Sequence, residues 1–577
     1  MTRSEHPAPW WTAATVYQVY PRSFRDANGD GIGDIAGILA EVEHLEALGV
    51  DAVWLSPVYP SPMRDGGYDV ADYQGVDPVF GTLADLDALI EALHARGMRL
   101  ILDVVLNHTT DQHAWFQASR RGRDDPKRSW YWWRPPRAGM QAGAPGAEPT
   151  NWRSYFGGPA WTLDPASGEY YLHLFDASQP DLHWEVPEVR QALYAMLRWW
   201  LARGVDGFRM DVINLVSKTL PLRDGDEVGA DGLGNGCPLF ESGPRIHAFM
   251  QELHREVLGS AGKVLLTVGE MLGVTPEQAR DFSDPRRREL DMVFQFEHVT
   301  LDQAGGDKFE VRALPLTTLK RSLGRWQAAL AERGWNSLYW CNHDQPRPVS
   351  RFGDDRPEWR ERSAKTLATT LHLHRGTPFV FQGEELGLRN HPFDDLGHFR
   401  DVESLNYVRS ARAIGLSDTE ILRRLRIKSR DNGRTPMPWH AGPNAGFGTG
   451  TPWLSVHADA QSVNAAAQRA DPESVFHHYR RLAALRRALP VVALGDFRML
   501  AAEHERLYAF ERRLGGDVLL VVANWSDAEQ PLAEAGVTVP PRAERLLDTV
   551  RAADGPGDPS VLRGWEARVY RYRDAEG

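Results

Sequence analysis

Short apolar runs alternate along most of this chain with stretches whose apolar positions recur at helical spacing. The first runs lie at 16–20, 51–56 and 99–108, with helical periodicity over 35–48 and 83–95 between them. After His108 the alternation stops through residue 176, in a stretch rich in Trp, Pro, Gly and Arg. An interruption of that length is a functional loop or a small domain of its own. Periodicity returns with a helix over 188–202, and apolar runs at 207–213, 264–271, 290–297, 336–341 and 377–382 complete a set of eight. Eight strands separated by helices predict an α/β fold, a (β/α)₈ barrel of parallel strands with one insertion after the third. The segment 388–489 reads as helical with irregular insertions. Beyond Pro490 the pattern changes to short strands, as at 506–512 and 517–524, which predicts a small antiparallel β-domain. The domains are therefore 1–108 with 177–490 for the barrel, 109–176 for the insertion and 491–577 for a C-terminal β-sandwich.

Composition narrows the function more than the fold. At 577 residues the chain exceeds one compact core, as the three-part division requires. A formal charge of −12 argues against a nucleic-acid surface and leaves a neutral substrate open. The segment from Met1 to Trp10 lacks the apolar core of a secretory leader, and no apolar stretch is long enough to span a bilayer. Cys237 and Cys341 are the only cysteines, so no disulfide framework is expected and a cytoplasmic location is. A monomer or weak homo-oligomer acting on a small soluble substrate fits this balance.

The candidate chemistry lies where strands stop. Asp211 and Glu270 end consecutive apolar runs, and Asp344 ends a third. Acids so placed sit at the carboxyl end of a barrel, where such enzymes do their chemistry. Arg209 is two residues before Asp211 and shares its face of the strand. A cation there would lower the pKa of Asp211 and hold it ionised as a nucleophile; the same spacing would serve an ion pair closing the barrel mouth. Adjacent strands bring two carboxylates within reach of the roughly 5–5.5 Å that a retaining glycosidase uses. Asp211 is thus read as nucleophile and Glu270 as acid and base. His108 and His343, also at run ends, could donate to sugar hydroxyls. Asp65 and Tyr68, in the loop after the second strand, could bind hydroxyls and stack under a ring, or form a plain turn around Gly66 and Gly67. The stretch 26–34 sets oxygen-bearing side chains at alternate positions with a glycine at the sixth, as in the first part of a calcium loop. Asp26, Asn28, Asp30, Ile32 through its carbonyl and Asp34 would be the ligands of a structural Ca²⁺. Gly37 stands where a full EF-hand needs glutamate, and an ion-free Asx turn is the alternative.

Taken together, Asp103-Val-Val-Leu-Asn-His108, Gly207-Phe-Arg-Met-Asp211, Gly269-Glu270 and Asn342-His-Asp344 resemble, in order, the four signature regions of glycoside hydrolase family 13, the α-amylase family. Gln179-Pro-Asp-Leu-His-Trp184, Phe294-Gln-Phe-Glu-His298 and Lys428-Ser-Arg-Asp-Asn-Gly-Arg434 resemble its oligo-1,6-glucosidase and α-glucosidase branch. The resemblance implies Asp211 as nucleophile, Glu270 as acid/base and Asp344 as transition-state stabiliser. It also implies a glucose pocket of Asp65, Tyr68, His108, Arg209, His343 and Arg430, completed by Phe156, Phe175 and Gln179, with Arg434 close to Arg430 in the same motif. The insertion would be the family's domain B, roofing a blind pocket that admits only a chain end. Val212, directly after the nucleophile, resembles members that act on α-1,6 bonds, although a valine also simply suits a strand. His183 stands where relatives usually carry Asn. The expected activity is exo-acting, retaining α-glucosidase action on short oligosaccharides. The alternatives are glucosyl transfer or sucrose isomerisation on the same scaffold, and α-1,4 preference.

Overall fold

A computed structural model describes residues 8–229, 231–305, 307–555 and 557–574. Most of the N-terminal segment read above for a leader lies outside them. Eight parallel strands form the barrel: β1 (Val16–Val19), β2 (Ala52–Leu55), β3 (Arg99–Val105), then, after the insertion with its three-stranded antiparallel sheet β4 (Trp133–Arg134), β5 (Trp161–Asp164) and β6 (Glu169–Leu172), β7 (Gly207–Asp211), β8 (Leu266–Glu270) and β9 (Met292–Phe294). A two-stranded ribbon, β10 (Gln303–Ala304) with β11 (Asp307–Val311), precedes the last barrel strands β12 (Ser337–Leu338) and β13 (Thr377–Phe381). A parallel bridge between Val293 and Asn336 closes the ring.

Every residue of β1, β2, β7, β8, β9 and β13 is buried, as strands covered on both faces must be. The runs read from sequence are all present but shorter, because pairing stops where each chain curls over the barrel mouth. The periodicity over 35–48 is two helices, Ile35–Ala40 and Val42–Leu48, parted at Glu41.

Register decides which side chains look inward. Trp54 pairs with Ile101, Asp103 with Arg209, Val105 with Asp211, Arg209 with Val268 and Glu270 with Phe294. With two-residue alternation, Asp103, Arg209, Asp211 and Glu270 all fall on one face, the barrel interior at its carboxyl end.

The C-terminal strands β14 (Asp496–Leu500), β15 (Leu507–Leu514), β16 (Asp517–Asn524), β18 (Glu544–Asp548) and β20 (Ala567–Arg573) make a five-stranded antiparallel sheet, order β14-β15-β16-β20-β18. The short β17 (Gln530–Pro531) and β19 (Val561–Leu562) pair beside it. One face of the sheet packs Leu507, Ala509, Leu520 and Val522 into a core of its own. The other turns Tyr508, Phe510, Leu519 and Val521 into the core shared with the barrel. Lys320 ties the two, donating to the carbonyls of Ala501, His504 and Leu507. Among the described residues no helix is long and apolar enough to cross a membrane. Cys237 and Cys341 are both free thiols.

Candidate active site

Three carboxylates converge on one guanidinium. Arg209 meets Asp103 and Asp211 at 2.8 Å each and Glu270 at 2.6 Å. Asp103 also accepts from Tyr68 Oη at 2.8 Å and Trp54 Nε1 at 3.0 Å. Sequence reading gave Asp103 no role of its own. The available signal was an acid inside the apolar run Leu-Ile-Leu-Asp-Val-Val, which must be paired once buried.

Asp211 and Glu270 are 7 % and 4 % exposed. Burial and the charge of Glu270 push the Asp211 carboxyl well above its usual range, and Arg209 only partly offsets them. This corrects the expectation that Arg209 holds Asp211 ionised by itself. Arg209 is thus a single cation shared among three acids, and the charge of Glu270 beside Asp211 opposes its pull. The backbone N–H of Val212 donates to Glu270 Oε2 at 3.2 Å, with Val212 at φ 36°. Positive φ at a β-branched residue is rare, costing on the order of 1–3 kcal/mol, and persists only where packing imposes it. The Val212 side chain lies in the core of the insertion, with Trp132, Phe175 and Phe240.

Asp344 is held in the opposite way. It does not end a strand: β12 stops at Leu338, and Asp344 sits on the turn beyond it. His343 Nε2 approaches it at 3.1 Å, Arg430 Nη1 at 2.9 Å and Arg434 Nη2 at 2.8 Å. Burial would raise its pKa, but these groups outweigh it and hold Asp344 well below the usual carboxylate range. The Tyr68 ring stacks on His343, centroids 4.9 Å apart, and Gln18 Nε2 lies 2.8 Å from His343 Nδ1.

Arg430 links this group to two further carboxylates. It reaches Asp65 at 3.2 Å and Asp401 at 2.6 Å, while Gln179 Nε2 donates to Asp65 at 3.0 Å. Burial pushes Asp65 up to about 7 against the pull of Arg430. His108 is buried against Phe175, with Nε2 near the Tyr68 carbonyl and Gln179; burial lowers it to about 4, so it is neutral. Phe156 lies under Arg430, 5.3 Å from the guanidinium carbon, and 5.5 Å from Phe175. The insertion therefore brings its aromatic residues and Gln179 to the carboxylates. Asp401, which bridges Arg430 and Arg434, was missed by sequence reading. His183 packs on Trp132, and its Nδ1 lies 3.1 Å from the Ser129 carbonyl.

The stretch 26–34 stands apart. Its side-chain oxygens accept backbone N–H groups: Asp26 from Gly29 and Gly31, Asn28 from Asp30, Asp30 from Ile32, and Asp34 from Ala27, Asn28 and Gly37. Among the described residues no group of three or more His, Cys, Asp or Glu side chains is gathered closely enough to hold a metal. The oxygen-only donor set nonetheless has the hardness calcium requires.

The model of the α-amylase catalytic domain matches residues 18–495. The chain belongs to the α-amylase family, glycoside hydrolase family 13. It is 46 % identical over 566 residues to an oligo-1,6-glucosidase of Parageobacillus thermoglucosidasius, covering 98 % of this chain and 99 % of that one. It is 42 % identical to a trehalose-6-phosphate hydrolase of Bacillus subtilis, with 98 % of both chains covered. Among solved structures, a trehalulose synthase variant superposes with a TM-score of 0.91 at 41 % identity, covering 98 % of this chain and 100 % of that one. The barrel with its carboxylates at the strand ends is thus the catalytic domain of an α-amylase-family glycoside hydrolase.

Proposed function

We propose that the protein is an exo-acting, retaining α-glucosidase that releases glucose from the non-reducing end of short oligosaccharides, with preference for α-1,6 bonds. The observation that carries this is the Asp211–Glu270 pair held on one guanidinium at adjacent strand ends. The reaction requires Glu270 to carry a proton and Asp211 to be ionised. Asp211 attacks the anomeric carbon as Glu270 protonates the departing glycosidic oxygen, leaving a glucosyl ester on Asp211. Glu270, now ionised, takes a proton from water as that water attacks the anomeric carbon and frees Asp211. Asp344, kept ionised by His343, Arg430 and Arg434, places negative charge beside the cationic transition state. The Gln179–Asp65–Arg430–Asp344 chain closes the inner end, with Tyr68, His108, Phe156, Phe175 and His343 around the terminal glucose.

The α-1,6 preference is supported by Val212 beside Glu270 and by the oligo-1,6-glucosidase relatives. The trehalulose synthase neighbour favours a second reading, in which the glucosyl ester passes to a sugar instead of water. Products from equal concentrations of isomaltose, maltose, sucrose and trehalose 6-phosphate separate these. Rapid glucose release from isomaltose supports the proposal, and a faster rate on maltose or trehalose 6-phosphate overturns the linkage. Conversion of sucrose mainly to an isomer assigns transfer.

The proposal extends to a structural Ca²⁺ on Asp26, Asn28, Asp30, Asp34 and the Ile32 carbonyl, which would brace the first βα loop and take no part in the chemistry. Calorimetric Ca²⁺ titration tests it, and binding equal in the wild type and Asp30→Ala would count against it. A cytoplasmic monomer or weak homo-oligomer remains the reading for the whole chain, supported by the two free thiols.

A further inference from the structure

A cavity of about 590 Å³ opens at the seam between the barrel and the C-terminal sheet, within the roughly 300–1,000 Å³ of ordinary ligand sites. Three parts of the chain meet there: the start of the helix Leu316–Ala329, the end of the helix Pro348–Phe352, and the loops that carry Trp525 and Trp565. The two indoles stand side by side, centroids 6.2 Å apart. Trp565 is buried and Trp525 half-buried, and both indole N–H groups are buried with no acceptor among the described residues. Leu316 and Phe352 add apolar wall. The Arg351 guanidinium, which also lines the cavity, is engaged by Asp302 and Gln345, while Glu505 stands exposed at the rim.

That combination selects a ligand class. An aromatic wall suits a molecule with a flat apolar face, and an acidic rim suits one rich in hydroxyl donors. An engaged cation offers little to an anion. A pyranose presents C–H groups on its faces and hydroxyls around its edge, so it satisfies both walls at once. None of these residues takes part in the catalytic arrangement described above.

We propose that this seam is a second, non-catalytic saccharide site, holding a glucosyl unit of an oligosaccharide against Trp525 with a hydroxyl donating to Glu505. The choice of sugar rests on the glucosidase reading; the aromatic and acidic lining stands apart from it. The cavity is also built partly from residues 351–353, on the same connection that carries Asp344.

The test is calorimetric titration of the full-length Asp211→Asn protein with isomaltotriose. Two sites per chain are expected. Adding Trp525→Ala should leave one site, and adding Glu505→Ala instead should weaken the second site about tenfold, the value of a hydrogen bond to a charged group. Glu505 is exposed, so its variant tests the site even if the tryptophan variant does not fold. In the active enzyme, Trp525→Ala should leave kcat/KM on isomaltose unchanged. One site per chain in Asp211→Asn, retained with Trp525→Ala, overturns the proposal and leaves the glucosidase reading intact. Two sites untouched by either substitution place the second sugar elsewhere and also overturn it. Loss of all sugar binding in Asp211→Asn, accompanied by an inactive wild type, overturns both readings.

Discussion

On one side of the pocket, Asp103, Asp211 and Glu270 crowd the single guanidinium of Arg209; on the other, Asp344 alone is held by Arg430, Arg434 and His343. Burial raises the pKa on both sides, yet Asp211 ends above the usual carboxylate range and Asp344 below it. With burial raising both, the balance of charge around each acid decides that one ends above and the other below. A retaining glycosidase needs one carboxyl group that donates a proton and a second that is ionised to attack.

The severest way to break the comparison is Asp211→Asn. Deleting the proposed nucleophile should cut kcat on isomaltose by on the order of 10⁴-fold or more, with the circular dichroism spectrum unchanged. Retention of a tenth of wild-type turnover would remove Asp211 from the mechanism. Next is Arg430→Ala, which takes a cation from Asp344 and Asp65 together. A loss of about 10²–10³-fold in kcat/KM is expected, the usual cost of one preorganised group facing developing charge. An effect below threefold would mean that Arg434 and His343 suffice.

Asp103→Asn sharpens the other side. Asp103 helps to raise Asp211, so removing its charge lowers that pKa. The acid limb of the kcat/KM profile should then move down, extending activity into more acidic solution. A limb that stays put or moves up would contradict the charge balance read from the structure. The smallest effect tests the rule away from substrate. Glu384 is buried with Arg347 nearby, and burial pushes it up to about 8 from an ordinary 4.5. Its proton is bound in the folded state and released in the unfolded chain between these values. The stabilisation it provides is therefore complete below about pH 4.5 and falls away as pH rises to about 8. Glu384→Gln should flatten the decline of Tm with pH across that window, and an unchanged slope would assign the decline to other groups.

Much of this was legible beforehand because it is local. Alternation of apolar runs and helical periodicity is a short-range property, and it marked all eight barrel strands and the interruption after His108. Period-two geometry on one strand placed Arg209 and Asp211 together. What stayed hidden depends on groups far apart in the chain. Asp103 looked like an oddity inside an apolar run until register set it opposite Arg209. Asp344 looked like a strand end, but it sits on the turn beyond β12, where Arg430 and Arg434 reach it. Val212 looked like a strand residue, yet it takes positive φ and packs into the insertion.

Determined by the sequence alone were the barrel, the insertion, the order of the three carboxylates at its mouth and the chemistry such acids can perform. Only the tertiary structure decided which acid is pushed above the usual carboxylate range and which is held below it. The reason is physical: a pKa is set by the sum of burial and every charge within a few ångströms, and here those charges come from strands and loops separated by the length of the barrel.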